Sequence, residues 1–197
     1  MERIFTGNER VSMGKKPFKD EKGYIKVKDF WAWAFSNLLM NTTRGIFAEY
    51  MVARLLHLDD KPRNPWSEAD IVTRNGIKIE VKASSYIQAW KQKAPSKIIF
   101  SGLKSYKYSD ELGWKRISNE KEYHADIYIF CVFTAKKKDI DILDLNHWDF
   151  YVLSREELRK ISGDSSSISL SKIQKHGIRP IKATELRRKI EEIEKML

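Results

Sequence analysis

Cysteine occurs once in this chain, at Cys131. That excludes a disulfide within the chain and a zinc site built from thiolates. Its place inside an apolar run marks it as a small buried hydrophobe. The histidines, His57, His124, His147 and His176, are scattered, without the close pairing of a histidine metal site. No glycine-rich phosphate loop follows a strand pattern, and the Gly-x-Ser-x-Gly turn of serine hydrolases is missing. No internal repeat is apparent. The longest apolar run, Ile127 to Phe133, is far too short to cross a bilayer. The N-terminus, MERIFTGNER, is charged where a signal peptide would be apolar. These absences predict an intracellular, cytoplasmic protein with no membrane partner. Acidic residues are also in deficit, 27 against 37 lysines and arginines. The net charge of +10 favours an anionic partner such as nucleic acid.

What is present is organised around Ser67 to Ala83, SEADIVTRNGIKIEVKA. Ile71, Thr73, Ile77, Ile79 and Val81 alternate around an Asn75-Gly76 turn signal, the pattern of two half-buried antiparallel strands. A two-residue type I′ loop would set Ile71 opposite Glu80 and mix apolar with charged side chains on one face. A three-residue loop, Arg74-Asn75-Gly76 with Gly76 left-handed, pairs Ile71 with Ile79 and Asp70 with Glu80. Only the second register sorts the faces, sending Asp70, Glu80 and Lys82 to one side. Two carboxylates at cross-strand distance repel unless a proton or cation neutralises them. A hard divalent ion such as Mg²⁺, with Mn²⁺ as substitute, suits such oxygen ligands. Lys82 could then stabilise developing negative charge or orient an attacking water. The competing reading is an ordinary solvated strand face of alternating charge.

A helix is expected from Asn41, Thr42 or Thr43, any of which can cap it, to about His57. On it Glu49 lies among Gly45, Ile46, Val52 and Ala53 at helical spacing. An acid on that apolar face needs a partner: a metal, a hydrogen bond to the hairpin, or an arginine elsewhere. Gly45 would let the helix approach the sheet or a phosphate closely.

The order helix Glu49, then Asp70, hairpin and Glu80-x-Lys82 resembles the PD-(D/E)XK nuclease superfamily, which includes type II restriction endonucleases and Holliday junction resolvases. The strings RGIFAEYMVARLL, ADIVTRNGIKIEVKASSYIQAW and WDFYVL are also similar to a widespread group of uncharacterised bacterial proteins of that superfamily, over roughly Arg44 to Leu186. Ala69 stands where the motif has proline. The resemblance implies an α/β, restriction-endonuclease-like core: a mixed β-sheet flanked by helices. It implies Mg²⁺-dependent cleavage of DNA, with Asp70, Glu80, Lys82 and Glu49 as catalytic residues and Asp70, Glu80, Glu49 and Val81 at the metal. Glu49 is thereby favoured as a metal residue. Two rival readings remain open. One is an inactive nucleic-acid-binding protein of the same fold; the other is a nuclease specific for a junction or for RNA. Cutting both strands of a duplex would be simplest for a homodimer.

The rest of the chain supplies the frame. One compact unit is expected: an N-terminal arm and helix over 1–41, then a nuclease-like domain over 42–197 with a C-terminal helical extension. Met1 to Lys28 reads as a loose arm or short strand pair. Asp29 caps a helix to Met40, with a bulky apolar face packed in the core or at a dimer interface. After the hairpin, Ser84 or Ser85 caps a short helix, Tyr86 to Lys93, whose Tyr86 and Gln88 could support the active face. Lys97 to Gly102 is a strand, and Lys104 to Tyr123 a long excursion that could contact DNA. Lys91, Lys93, Lys97 and Lys104 are the candidate phosphate contacts, interleaved with Trp90, Tyr106, Tyr108 and Trp114. Ala125 to Thr134 is a central strand buried on both faces. Asp126, a second acidic candidate, fits better as its polar end. Asp149 to Leu153 is a strand, Ser154 caps a helix to Ile161, and Gly163 to Ser171 is a polar linker. A last helix from Ala183 places Leu186, Ile190, Ile193 and Leu197 on one face.

Overall fold

The computed structural model describes residues 27–109 and 115–197. The expected arm up to residue 26 and Trp114 lie outside them. The chain divides into two units, Met1–Leu38 and Leu39–Leu197. In the first, helix α1 (Val27–Phe35) ends sooner than its apolar pattern suggests.

The second unit is a mixed α/β fold whose four-stranded sheet runs β1 (Ile71–Val72), β2 (Lys78–Ser85), β6 (Ile127–Phe133), β7 (Trp148–Ser154). β1 and β7 are antiparallel to their neighbours, whereas β2 and β6 run parallel. All of β6 is buried, as its unbroken apolar run requires of a strand covered on both faces. Its side chains alternate between two cores. Ile127, Ile129, Cys131 and Phe133 join Ile79, Val81, Trp148 and Phe150 beneath helices α2 (Asn41–Leu55) and α5 (Ala183–Glu194). Tyr128, Phe130 and Val132 face the opposite side. There they pack with Tyr151 and Leu153 against Leu158 and Ile161 of α3 (Arg155–Ser162) and Ile173 of α4 (Leu170–Lys175). Helices therefore flank the sheet on both faces. None of the described helices is long and apolar enough to cross a membrane.

Local chemistry sets the boundaries. Ser154 and Glu157 form a reciprocal capping box that starts α3, as the sequence indicates. In α5, Leu186, Ile190 and Ile193 are buried, while Leu197 lies past the helix and is exposed. Asp126 closes the lower end of the sheet: its carboxylate accepts the Lys78 N–H at 2.9 Å and pairs with Arg155. It is thus a structural acid.

Several expectations fail, each because a distant partner overrides a local signal. Ser84 and Ser85 belong to β2, held by Val132 and Phe133 of β6, and residues 86–95 form a bent, irregular loop instead of a helix. The Gly163–Ser171 stretch contains β8 (Ser167–Ser169) and the start of α4; β8 pairs antiparallel with β3 (Ile99–Ser101). The excursion after Lys104 is a second small ladder, β4 (Tyr108–Ser109) with β5 (Lys115–Arg116), extended by a Ser105–Glu122 bridge. Met40, not Asn41, Thr42 or Thr43, occupies the N-cap of α2, and it supplies no side-chain cap.

Candidate active site

The hairpin adopts the face-sorting register. Ile71 pairs with Ile79 and Val72 with Lys78, and Thr73 N–H donates to the Ile77 carbonyl at 2.9 Å. The loop is therefore Arg74-Asn75-Gly76, with Gly76 at φ +84°, the left-handed conformation that a side chain there would strain. Asp70 follows in register opposite Glu80. Its Oδ2 accepts the Val81 N–H at 2.8 Å, which ties the acid to the strand that carries Glu80.

Glu80 and Lys82 sit on a half-buried strand face. On β6 their neighbours are Tyr128 and Phe130, buried members of the second core. The side chains of Lys82 and Glu80 keep only 22% and 23% of their exposure, and Lys82 Nζ donates to Glu80 Oε1 at 2.6 Å. A methyl group added at Gly102, just beyond β3, would lie 3.8 Å from Lys82 Nζ, so the glycine leaves space beside the paired ammonium. A half-buried ion pair among aromatics is costly to assemble, and functional sites are where such costs are tolerated.

Asp70 is the most perturbed acid here. Burial, then the charges of Glu80 and Glu49, push its carboxyl up to about 7, against the opposing pull of the Val81 N–H and Lys82. The folded state therefore binds a proton more tightly than the unfolded chain, and stability falls as pH rises from about 4 through about 7. Replacing Asp70 by Asn keeps an oxygen for the Val81 N–H and removes the charge. We expect Asp70→Asn, without divalent metal, to flatten that slope and to be about 1–3 kcal/mol more stable than the native chain at pH 8. Urea unfolding at pH 5 and pH 8 measures this; an unchanged slope in the variant would place the pH dependence elsewhere.

Asp70 and Glu80 supply the hard oxygen donors that a divalent ion takes, and such an ion would offset the repulsion that raises Asp70. Glu49 is differently engaged. Both its oxygens accept from Arg63, Oε1 from Nη2 at 3.0 Å and Oε2 from Nε. Its acid is thus balanced by an arginine from the segment after α2, and among the described residues no three His, Cys, Asp or Glu are grouped to hold a metal ion. The donor chemistry fits Mg²⁺ at the Asp70–Glu80 pair, while Glu49 is held by Arg63 through both oxygens. Val81 contributes its N–H to Asp70, while its side chain is in the first core. Gly45 creates no close approach, since a methyl group added there would meet nothing within 4 Å.

Gln88 supports the site from behind. It is buried, its amide donates to Ser85 O and Ser96 Oγ, and its Oε1 accepts from Arg44 Nη1 at 3.3 Å. The loop after β2 is thereby fastened to the first turn of α2. Tyr86 carries Lys136 Nζ over its ring at 5.7 Å. Of the four candidate phosphate lysines, Lys91, Lys93 and Lys97 are exposed, whereas Lys104 donates to Asp164 O and lies over the Tyr123 ring. Arg44 and Arg63 are the residues that sequence reasoning overlooked. Basic residues are common on helix and loop surfaces, so no local signal separates these two from the rest.

No family model matches the chain, and no curated protein matches it either.

Proposed function

We propose that this chain is a Mg²⁺-dependent DNA endonuclease with a restriction-endonuclease-like core of the PD-(D/E)XK type, hydrolysing phosphodiester bonds. The observation that carries the reading is the register: Asp70 opposite Glu80, with Lys82 next on the same face and held largely out of water. A half-buried carboxyl pushed up to about 7 beside a second acid suits a cation or a proton. The net charge of +10 points to a polyanionic substrate.

In this reading Asp70 and Glu80 hold the ion. When bound, Mg²⁺ polarises the phosphate and lowers the pKa of water. Lys82, steadied by Glu80, donates to the nonbridging phosphate oxygen as negative charge develops there. A water oxygen forms the new bond to phosphorus, the bond to the leaving sugar oxygen breaks, and the proton lost by the water is returned by solvent to that oxygen. Gln88 fixes the strand end that presents Lys82. Cleavage of both strands would use two copies of the chain.

Supercoiled plasmid, linear duplex, four-way junction and RNA, each with Mg²⁺ or Mn²⁺, separate the substrate classes. Glu80→Gln should lower metal-dependent cutting on the order of 100-fold and abolish stabilisation by Mg²⁺ in thermal melts. The commitment of Glu49 to Arg63 favours one second reading, a nucleic-acid-binding protein of the same fold without turnover. DNA binding with no cutting under either metal, in wild type and variant alike, would select it.

A further inference from the structure

Beside Lys82 the surface folds into a cleft of about 390 Å³, between the first turn of α2, the end of β2, the loop through Trp90, and β3. That volume lies in the range of small-ligand sites, about 300–1,000 Å³. Arg44, Lys97 and the Glu80-paired Lys82 line it, and none of the described residues lining it is acidic.

Arg44 is the informative member. It is only 3% exposed, yet its hydrogen bonds go to neutral acceptors alone: Leu39 O, Gln88 Oε1 and Asn41 Oδ1. Its Nε is buried without a partner. A buried guanidinium with no counter-ion is costly, and an anion in the adjoining cleft offsets that cost. Guanidinium geometry suits a phosphate. The N-terminus of α2, which lacks a side-chain cap, adds its dipole to the same wall. At the rim Trp90 is 53% exposed and lines the cleft together with the cations.

We propose that this cleft is a nucleotide subsite, seating a phosphate of the substrate strand by Arg44 and Lys97 with the attached base against Trp90. Its placement relative to the scissile bond rests on the nuclease reading; its binding chemistry does not require turnover. Stacking on an exposed aromatic and charge pairing with phosphate together bind a strand with little sequence preference.

Calorimetric titration without divalent metal tests this, using a dithymidine dinucleotide with a 5′-phosphate, the same dinucleotide without it, and inorganic phosphate. The proteins are wild type, Lys97→Ala, Trp90→Ala and Arg44→Met, the last checked for folding by circular dichroism. Wild type should bind the phosphorylated dinucleotide, with about tenfold weaker affinity in Lys97→Ala and in Trp90→Ala. Inorganic phosphate should respond to Lys97→Ala and not to Trp90→Ala. Tighter binding of the 5′-phosphorylated form assigns a terminal phosphate to the cleft; equal binding of the two dinucleotides assigns the internal diester. No binding by wild type, or the same affinity in the Lys97 and Trp90 variants, overturns the proposal. Binding lost in Lys97→Ala in a protein that never cuts DNA keeps the subsite and removes the nuclease. Metal-dependent cutting whose KM is the same in Lys97→Ala and Trp90→Ala does the reverse.

Discussion

Lys82→Ala should lower metal-dependent DNA cutting by about 100- to 1,000-fold, while DNA binding measured in Ca²⁺ stays within a few-fold of wild type. The expectation follows from how Lys82 is held. Its ammonium is paired to Glu80 at 2.6 Å and flanked by Phe130 on the neighbouring strand, so it is held before any substrate arrives. A donor already aimed at developing charge loses little to reorganisation, and removing it subtracts mainly from the transition state. Lys82→Arg should not restore the rate, because a planar, forked guanidinium does not place a compact charge where the Lys82 ammonium sits against Glu80. An independent readout needs no DNA. Lys82 is one of the charges that lower the Asp70 carboxyl, so its loss should raise that carboxyl further and steepen the fall of stability between pH 5 and pH 8 without metal. A variant that cuts at the wild-type rate would remove Lys82 from the chemistry. A variant that fails to cut and shows an unchanged pH slope would place Lys82 away from Asp70.

The hairpin register was legible in sequence because one face of the hairpin is buried. Sliding by one residue, as the two-residue loop requires, would exchange Ile79 and Val81 for Glu80 and Lys82 in the first core. The unbroken Ile127–Phe133 run and the Ser154–Glu157 box are likewise local signals with local causes. The elements that escaped are those decided at long range. β8, in a stretch expected to be a polar linker, has three residues and pairs Ile168 with Phe100 of the expected strand β3. Ser84 and Ser85 are capping residues by propensity, yet β6 supplies enough pairing to extend β2 through both. The Glu49 question shows the same limit. Its position on an apolar helix face announces that it needs a partner, and only the folded chain supplies Arg63. Arg44 gave no announcement at all, since its burial depends on Gln88, separated from it by the whole hairpin.

Trp148→Ala should cost about 3–5 kcal/mol in stability, the largest loss expected of any single truncation here. The indole is fully buried, with its ring 5.3 Å from Phe133 of β6 and 6.0 Å from Phe47 of α2. Its Nε1–H donates to Ile142 O at 2.8 Å, anchoring the loop between β6 and β7. Truncation therefore opens a cavity among two strands and a helix, and strands a carbonyl that had a partner. Trp148→Phe retains most of the ring volume and loses the hydrogen bond, so about 1–2 kcal/mol is expected. Phe47 lies on the same helix as Arg44 and Glu49, which ties this core residue to the site. If Trp148 acts only through packing, the Phe variant at a temperature where it is folded should cut DNA at close to the wild-type rate. If the indole also sets the position of α2, nucleotide affinity in the cleft beside Arg44 should weaken before unfolding begins. Urea unfolding and dinucleotide titration on the same preparation separate the two, and a loss below about 1 kcal/mol in Trp148→Ala would show that the first core closes over the gap.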